Sequence, residues 1–170
     1  MQRVKEGNLA ELSVLFERYN VRLYNFMLRL TFDPSVSQDL TQNLFYRIIK
    51  YRHTFKEHHS FKSWIYQLAR NIHIDYCKQL RKTTVRYAKV DEYNENLAEI
   101  KEGFNEEEYE KLDKAMAKLT PEQKEILVLS RFQGLKYEEI SSIRDLSVAA
   151  IKVQVHRAIK QLREYYFKLT

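Results

Sequence analysis

A chain of 170 residues with 44% apolar side chains can form one domain or two small ones with real cores. Lysine and arginine exceed aspartate and glutamate by 29 to 23, with a pI near 9.3, a balance that leans mildly toward a polyanionic partner. Three glycines and two prolines are too few for a turn-rich sheet protein and predict long helices. The single cysteine, Cys77, excludes an internal disulfide or a cysteine-based metal site and suits a reducing cytoplasm.

Charge is unevenly spread. Residues 1–90 hold 16 basic and 7 acidic side chains, residues 91–118 hold 4 and 10, and residues 119–170 hold 9 and 6. Two basic ends flanking an acidic middle predict two binding modules and a spacer. The opening residues form no apolar signal segment, and no run approaches the roughly 18 apolar residues of a membrane span.

Taken in chain order, residues 8–31 predict a helix, with Leu12, Leu15, Phe16, Tyr19, Leu23, Phe26, Met27 and Leu30 at three-four spacing. Asp33 and Pro34 start a second helix, which runs to about Lys50 with Val36, Leu40, Leu44, Phe45, Ile48 and Ile49 inward. Residues 51–60 break the period and read as a loop. A third helix covers about 61–81, with Phe61, Trp64, Ile65, Leu68, Ile72 and Tyr76 toward the core and Tyr66, Arg70, His73, Cys77 and Arg81 outward. That outward stripe, basic and partly aromatic, suits a nucleic-acid backbone with bases nearby.

Residues 83–108 lose the amphipathic pattern and carry Glu106–Glu107–Glu108, an acidic spacer that like-charge repulsion keeps off DNA. The final block predicts four helices. Leu112, Ala115, Met116 and Leu119 mark the first, and Thr120, Pro121 and Gln123 make a capping box for the second. Gly134 ends that helix through a positive φ. Two short helices meet at a turn over Arg144, Asp145 and Leu146, and Ser147 caps the last one. On the last helix Val148, Ile151, Val155 and Leu162 face inward, while Arg157 and Lys160 lie opposite. Its outward start carries Ala149, Ala150 and Val153, small enough for close approach to base edges and a thymine methyl in a major groove.

The signals for chemistry are empty. His53, His58, His59 and His73 with Cys77 do not make the closely spaced four-ligand set of a structural zinc site, so no metal is expected. Glu106–Glu107–Glu108 reads as a solvated face. No phosphate-cradling glycine loop or paired-carboxylate motif is present. The chain is therefore expected to be all-α, not an enzyme and without a cofactor.

These residues bear a family resemblance. Asp39–Leu40–Thr41–Gln42–Asn43–Leu44–Phe45 resembles the Asp-Leu-x-Gln-Glu-x-Phe segment in the second conserved region of bacterial sigma factors of the extracytoplasmic-function group. The run from Phe61 to Ile72, continued by Asp75–Tyr76, resembles that region's Phe-x-x-Trp-Leu-x-x-Ile-Ala-Arg-Asn pattern. Gly134–Leu135–Lys136–Tyr137–Glu138–Glu139–Ile140 is similar to the Gly-Leu-Ser-Tyr-Glu-Glu-Ile signature of the fourth region, and Val155–His156–Arg157–Ala158 to its Leu-His-Arg-Ala segment.

The resemblance implies two small helical domains: a region-2-like bundle over 1–83 and a region-4-like helix-turn-helix bundle over 110–170, joined by a linker over 84–109. It implies a transcription initiation factor with core RNA polymerase and promoter DNA as partners, and an anti-sigma factor as a regulator. By position, Asp39, Gln42 and Asn43 would meet the polymerase. Phe55, His58, His59, Phe61, Lys62, Arg70, Asn71 and His73 would meet the opened minus-ten strand. Tyr137, Ser147, Ala149, Ala150, Lys152, Val153, Gln154, His156, Arg157 and Lys160 would meet the minus-thirty-five duplex. Asn43 departs from the family's acid, Asp145 from the glycine frequent in the turn, and Val153 and Gln154 from the usual serine or arginine. Two other readings compete: a stand-alone helix-turn-helix regulator binding operators as a dimer, and an RNA-binding module built on the first domain.

Overall fold

The computed structural model describes residues 1–8, 10–56, 60–84 and 106–169. Among them every regular element is a helix. The chain divides into two compact units, Met1–Asn96 and Leu97–Thr170.

Three long helices build the first unit: α2 (Glu11–Thr31), α3 (Pro34–Tyr51) and α4 (Phe61–Thr84), preceded by a short α1 (Gln2–Lys5). Leu23, Phe26 and Met27 of α2, Leu44 and Ile48 of α3, and Ile65, Ala69 and Ile72 of α4 are all but inaccessible to water. Burying each large apolar side chain contributes about 1.5–3 kcal/mol, which is why three amphipathic stripes close on one another. The link between α2 and α3 is tight. Phe32 takes a left-handed conformation (φ 56°) and its amide donates to Leu28 O at 2.9 Å. A phenylalanine there costs about 1–2 kcal/mol, and burial of its ring offsets that cost. Asp33 then accepts from the Val36 amide at 3.0 Å with Pro34 in the first turn, as the sequence predicts.

Tyr66 departs from expectation. Placed outward by periodicity, it is 1% exposed and meets the Phe26 ring edge-on at 5.5 Å. Helix α4 packs against both α2 and α3, so its buried arc is wider than one stripe and takes in residue 66. The expected loop at 51–60 is also more ordered at its start, where a 3₁₀ turn spans Arg52–Thr54.

The second unit holds α5 (Glu106–Ala117), α6 (Pro121–Leu127), α7 (Tyr137–Arg144) and α8 (Val148–Phe167). Thr120 and Gln123 exchange both capping hydrogen bonds, at 3.1 and 3.2 Å. Helix α6 then widens over Val128–Phe132, where the Gln133 amide reaches back five residues to Val128 O at 2.9 Å. Gly134 follows at φ 61°, the positive value expected of it. Asp145 also adopts a left-handed conformation (φ 54°), tolerable because its short polar side chain fits that region better than a branched one. Ser147 Oγ accepts from the Ala150 amide at 3.1 Å and starts α8.

A buried ion pair helps tie this unit together. The Arg144 guanidinium lies 3.5 Å from Glu125, both side chains under a tenth exposed, and also donates to Glu122 O at 3.3 Å. The end of α7 is thereby fixed to α6, which holds the turn before α8 in place.

Candidate nucleic-acid interface

In the first unit, α4 and the end of α3 enclose an open groove of about 650 Å³. Its α4 wall is the stripe Trp64, Gln67, Asn71, Asp75 and Lys78; Arg47 and Tyr51 face it from α3. Arg47 donates to Asp75 at 3.1 Å, with Asp75 half exposed, so the pair adds little stability but holds both groups at the wall. Trp64 belongs to an aromatic cluster: its ring is 5.7 Å from Phe55 and 5.9 Å from Phe61, and Phe61 is 5.3 Å from Tyr19. Polar groups that fix orientation beside aromatic surface are the ingredients for holding an extruded base.

The expected minus-ten residues separate accordingly. Asn71 is exposed and lines the groove. Phe61 and Lys62 sit half-buried in the first turn of α4. Phe55 is 6% exposed, so its ring supports Trp64 and Phe61 from beneath and offers little face of its own. Arg70 and His73 are half-buried and not in the groove lining; His73 Nε2 lies 3.6 Å from Cys77 Sγ. His58 and His59 lie outside the described residues. In the same unit, burial first and the Asp33 carboxylate second push the Tyr76 phenol above its ordinary value.

The sequence assigns Arg47, Tyr51, Gln67, Asp75 and Lys78 to no site, although Gln67 and Asp75 lie in the run that carries the family resemblance, and its period places Trp64 in the core. The signal existed for α4: residues 64, 67, 71, 75 and 78 recur at helical spacing. Residues 47 and 51 lie on another helix, and only the packing of α3 on α4 brings them in.

The face of α3 bearing Asp39, Gln42 and Asn43 is exposed, and Tyr46, one turn further and 63% exposed, extends it. In the second unit Ile151, Val155 and Ala158 bury the inner side of α8. Ala149, Lys152, Val153, His156 and Lys160 form an exposed outer stripe, flanked by exposed Ser147 and Arg157. Ala150, Gln154 and Tyr137 are half-buried at its edge, and exposed Arg163 continues the stripe. Among the described residues no three His, Cys, Asp or Glu side chains gather as metal ligands, and no helix is long and apolar enough to cross a membrane.

Comparison with known proteins agrees with this division. Residues 15–83 match the sigma-70 region 2 family and residues 109–162 match sigma-70 region 4. The chain is 27% identical to the RNA polymerase sigma factor CarQ of Myxococcus xanthus, over 96% of this chain and 94% of the relative. It is 29% identical to the ECF RNA polymerase sigma factor SigM of Bacillus subtilis, over 89% and 93%. The fold resembles that of the sigma factor RpoE from Bartonella quintana, solved with the anti-sigma factor NepR, with a TM-score of 0.76 at 21% identity over 90% and 94% of the two chains. It also resembles CnrH, solved with the cytosolic domain of CnrY, with a TM-score of 0.71 at 19% identity over 96% and 92%. This chain belongs to the sigma-70 family, in the extracytoplasmic-function group, and is a promoter-specificity factor for RNA polymerase.

Proposed function

We propose that the two units divide promoter recognition between an opened strand and a closed duplex. The domain over 1–83 docks on core polymerase through the α3 face of Asp39, Gln42, Asn43 and Tyr46 and takes an unpaired minus-ten base into the groove between α3 and α4. The domain over 110–170 lays α8 in the minus-thirty-five major groove. There Ala149, Ala150 and Val153 approach base edges while Lys152, Arg157 and Lys160 meet phosphates. Residues 84–109 join them. The factor works in the cytoplasm and selects the start site without catalysing a reaction itself.

The observation that carries this reading is the groove itself, polar on one helix and aromatic at its end, which serves a strand already opened and has no use for a closed duplex. A free operator-binding regulator would leave it idle. An anti-sigma protein is the natural inhibitor: RpoE of Bartonella quintana, which shares this fold, is solved with one, and both exposed nucleic-acid faces offer it a surface. The test is transcription by core polymerase with and without this protein on genomic fragments, reading the 5′ ends of the products. Defined new start sites are expected, and their absence despite core binding overturns the reading.

A further inference from the structure

Helix α1 lies outside the region 2 match, which begins at residue 15, yet it is built into the first unit at one place. Val4 is fully buried. Lys5 Nζ donates to the carbonyl of Phe55 at 3.0 Å, across fifty residues of chain. Helix α1 packs on α2 and on the 3₁₀ turn Arg52–Thr54. That turn supplies Thr54 to the groove, and Phe55 beside it underlies Trp64.

Local chemistry holds α1 in this pose. Gly7 at φ 101° lets the Asn8 amide return to Arg3 O at 2.9 Å and its own amide to Val4 O at 3.2 Å, a glycine-based helix stop. The chain then turns into α2, where Glu11 accepts from Arg3 at 2.9 Å, an exposed ion pair that adds little to the hold. A residue with so small a helix has no fold of its own to stabilise. Lys5 acts on residue 55 directly, through its hydrogen bond, and Val4 holds α1 in place beside it.

We propose that α1 is a positioning brace for the strand-capturing end of the first unit, with Val4 as its anchor and the Lys5–Phe55 hydrogen bond as its clamp. The proposal rests on the reading of the groove as the minus-ten site. The clamp holds the Phe55 carbonyl, and through it the Phe55 ring sets the height of Trp64 at the groove wall. Without it the 52–55 turn loses one charge-assisted tie, and the groove wall is no longer held ready before the strand arrives. Lys5 touches no nucleic acid in this scheme. It acts through Phe55.

The test uses the full chain bound to core polymerase on a promoter mapped with the wild-type protein. Permanganate reactivity of minus-ten thymines reads opening, and separate titrations read core affinity and duplex binding. Lys5→Met keeps the apolar stem and removes the donor. It is expected to lower the opened fraction about five- to tenfold, the scale of one ordinary hydrogen bond, because partial exposure screens the charge, with core affinity and duplex binding unchanged. Lys5→Arg, which keeps a donor, restores most of the opening. Val4→Ala gives a loss in the same direction, and Arg3→Ala, which removes an exposed ion pair, gives none. Unchanged opening in Lys5→Met and Val4→Ala overturns the brace, as does a loss of core affinity in proportion to the loss of opening. A wild-type protein that opens nothing overturns the groove's assignment and the brace with it, whereas wild-type opening beside an unaffected Lys5→Met overturns the brace alone.

Discussion

The two units are built by one rule and present opposite shapes. Each closes amphipathic helices on an apolar core, rich in leucine and isoleucine in both, with Phe26, Phe32, Phe45, Phe55 and Tyr66 added in the first. The first unit leaves a concave groove between two helices; the second leaves a convex helix, α8, with an exposed stripe along it. The difference follows from what each would hold. A single strand offers base faces and hydrogen-bonding edges that a cavity can surround. A duplex offers edges at the floor of a groove, which only a protruding helix with small side chains at its start can reach. Charge follows shape: the cleft binds Arg47 to Asp75, while Lys152, Arg157 and Lys160 stand in water.

The largest expected effect separates the units as folding entities. Arg144→Ala deprives Glu125 of its cationic partner in a buried setting, and breaking such a pair costs about 3 kcal/mol or more. Thermal unfolding followed by calorimetry should show the second unit melting earlier while the first is unchanged. If both shift together, the two units are not independent and the comparison between them loses its basis. Next in size is Asn71→Ala in the groove. It should lower promoter opening about tenfold, the upper range for a lost polar contact, and leave duplex binding by α8 intact, read by permanganate reactivity against gel shift on the same DNA.

The second unit was almost fully legible in the sequence because its signals are local. Thr120 with Gln123, Gly134, Asp145 and Ser147 each act within a few residues, and the structure shows each in its expected role. The first unit was legible in its helices and only half legible in its site. Asn71 could be placed because α4 is regular. Arg47 and Tyr51 could not, since they reach the groove through the packing of α3 on α4. Tyr66 was misplaced for the same reason: period alone gives one stripe, and a helix touching two neighbours buries more than one. Helix α1 left no periodic trace at four residues, and its tie to Phe55 spans a separation that no sequence window covers.

A smaller effect tests the convex side alone. Arg157→Ala removes one exposed cation from the proposed phosphate contacts. Duplex binding should weaken a few-fold at low salt, with the slope of log affinity against log salt falling by about one. The deficit should shrink as salt rises, and polymerase binding should be untouched. A loss that ignores salt would mean that Arg157 reads a base.

The smallest effect is predicted for the third surface. Asn43 stands where the family pattern carries an acid, on an exposed face shared with Asp39 and Gln42. Asn43→Glu restores one charge without touching either core or either nucleic-acid surface. An exposed ion pair contributes about 0.2–1 kcal/mol, so core affinity should rise by no more than about fivefold, and only at low ionic strength, where screening is weak. Competition for core polymerase between the variant and the wild-type protein at two salt concentrations gives that ratio directly. A gain that survives high salt would require a contact other than charge. A loss would mean that this chain's polymerase contact has adapted to the amide, with Tyr46 beside it, 63% exposed, as the residue carrying more of the binding than the charges do.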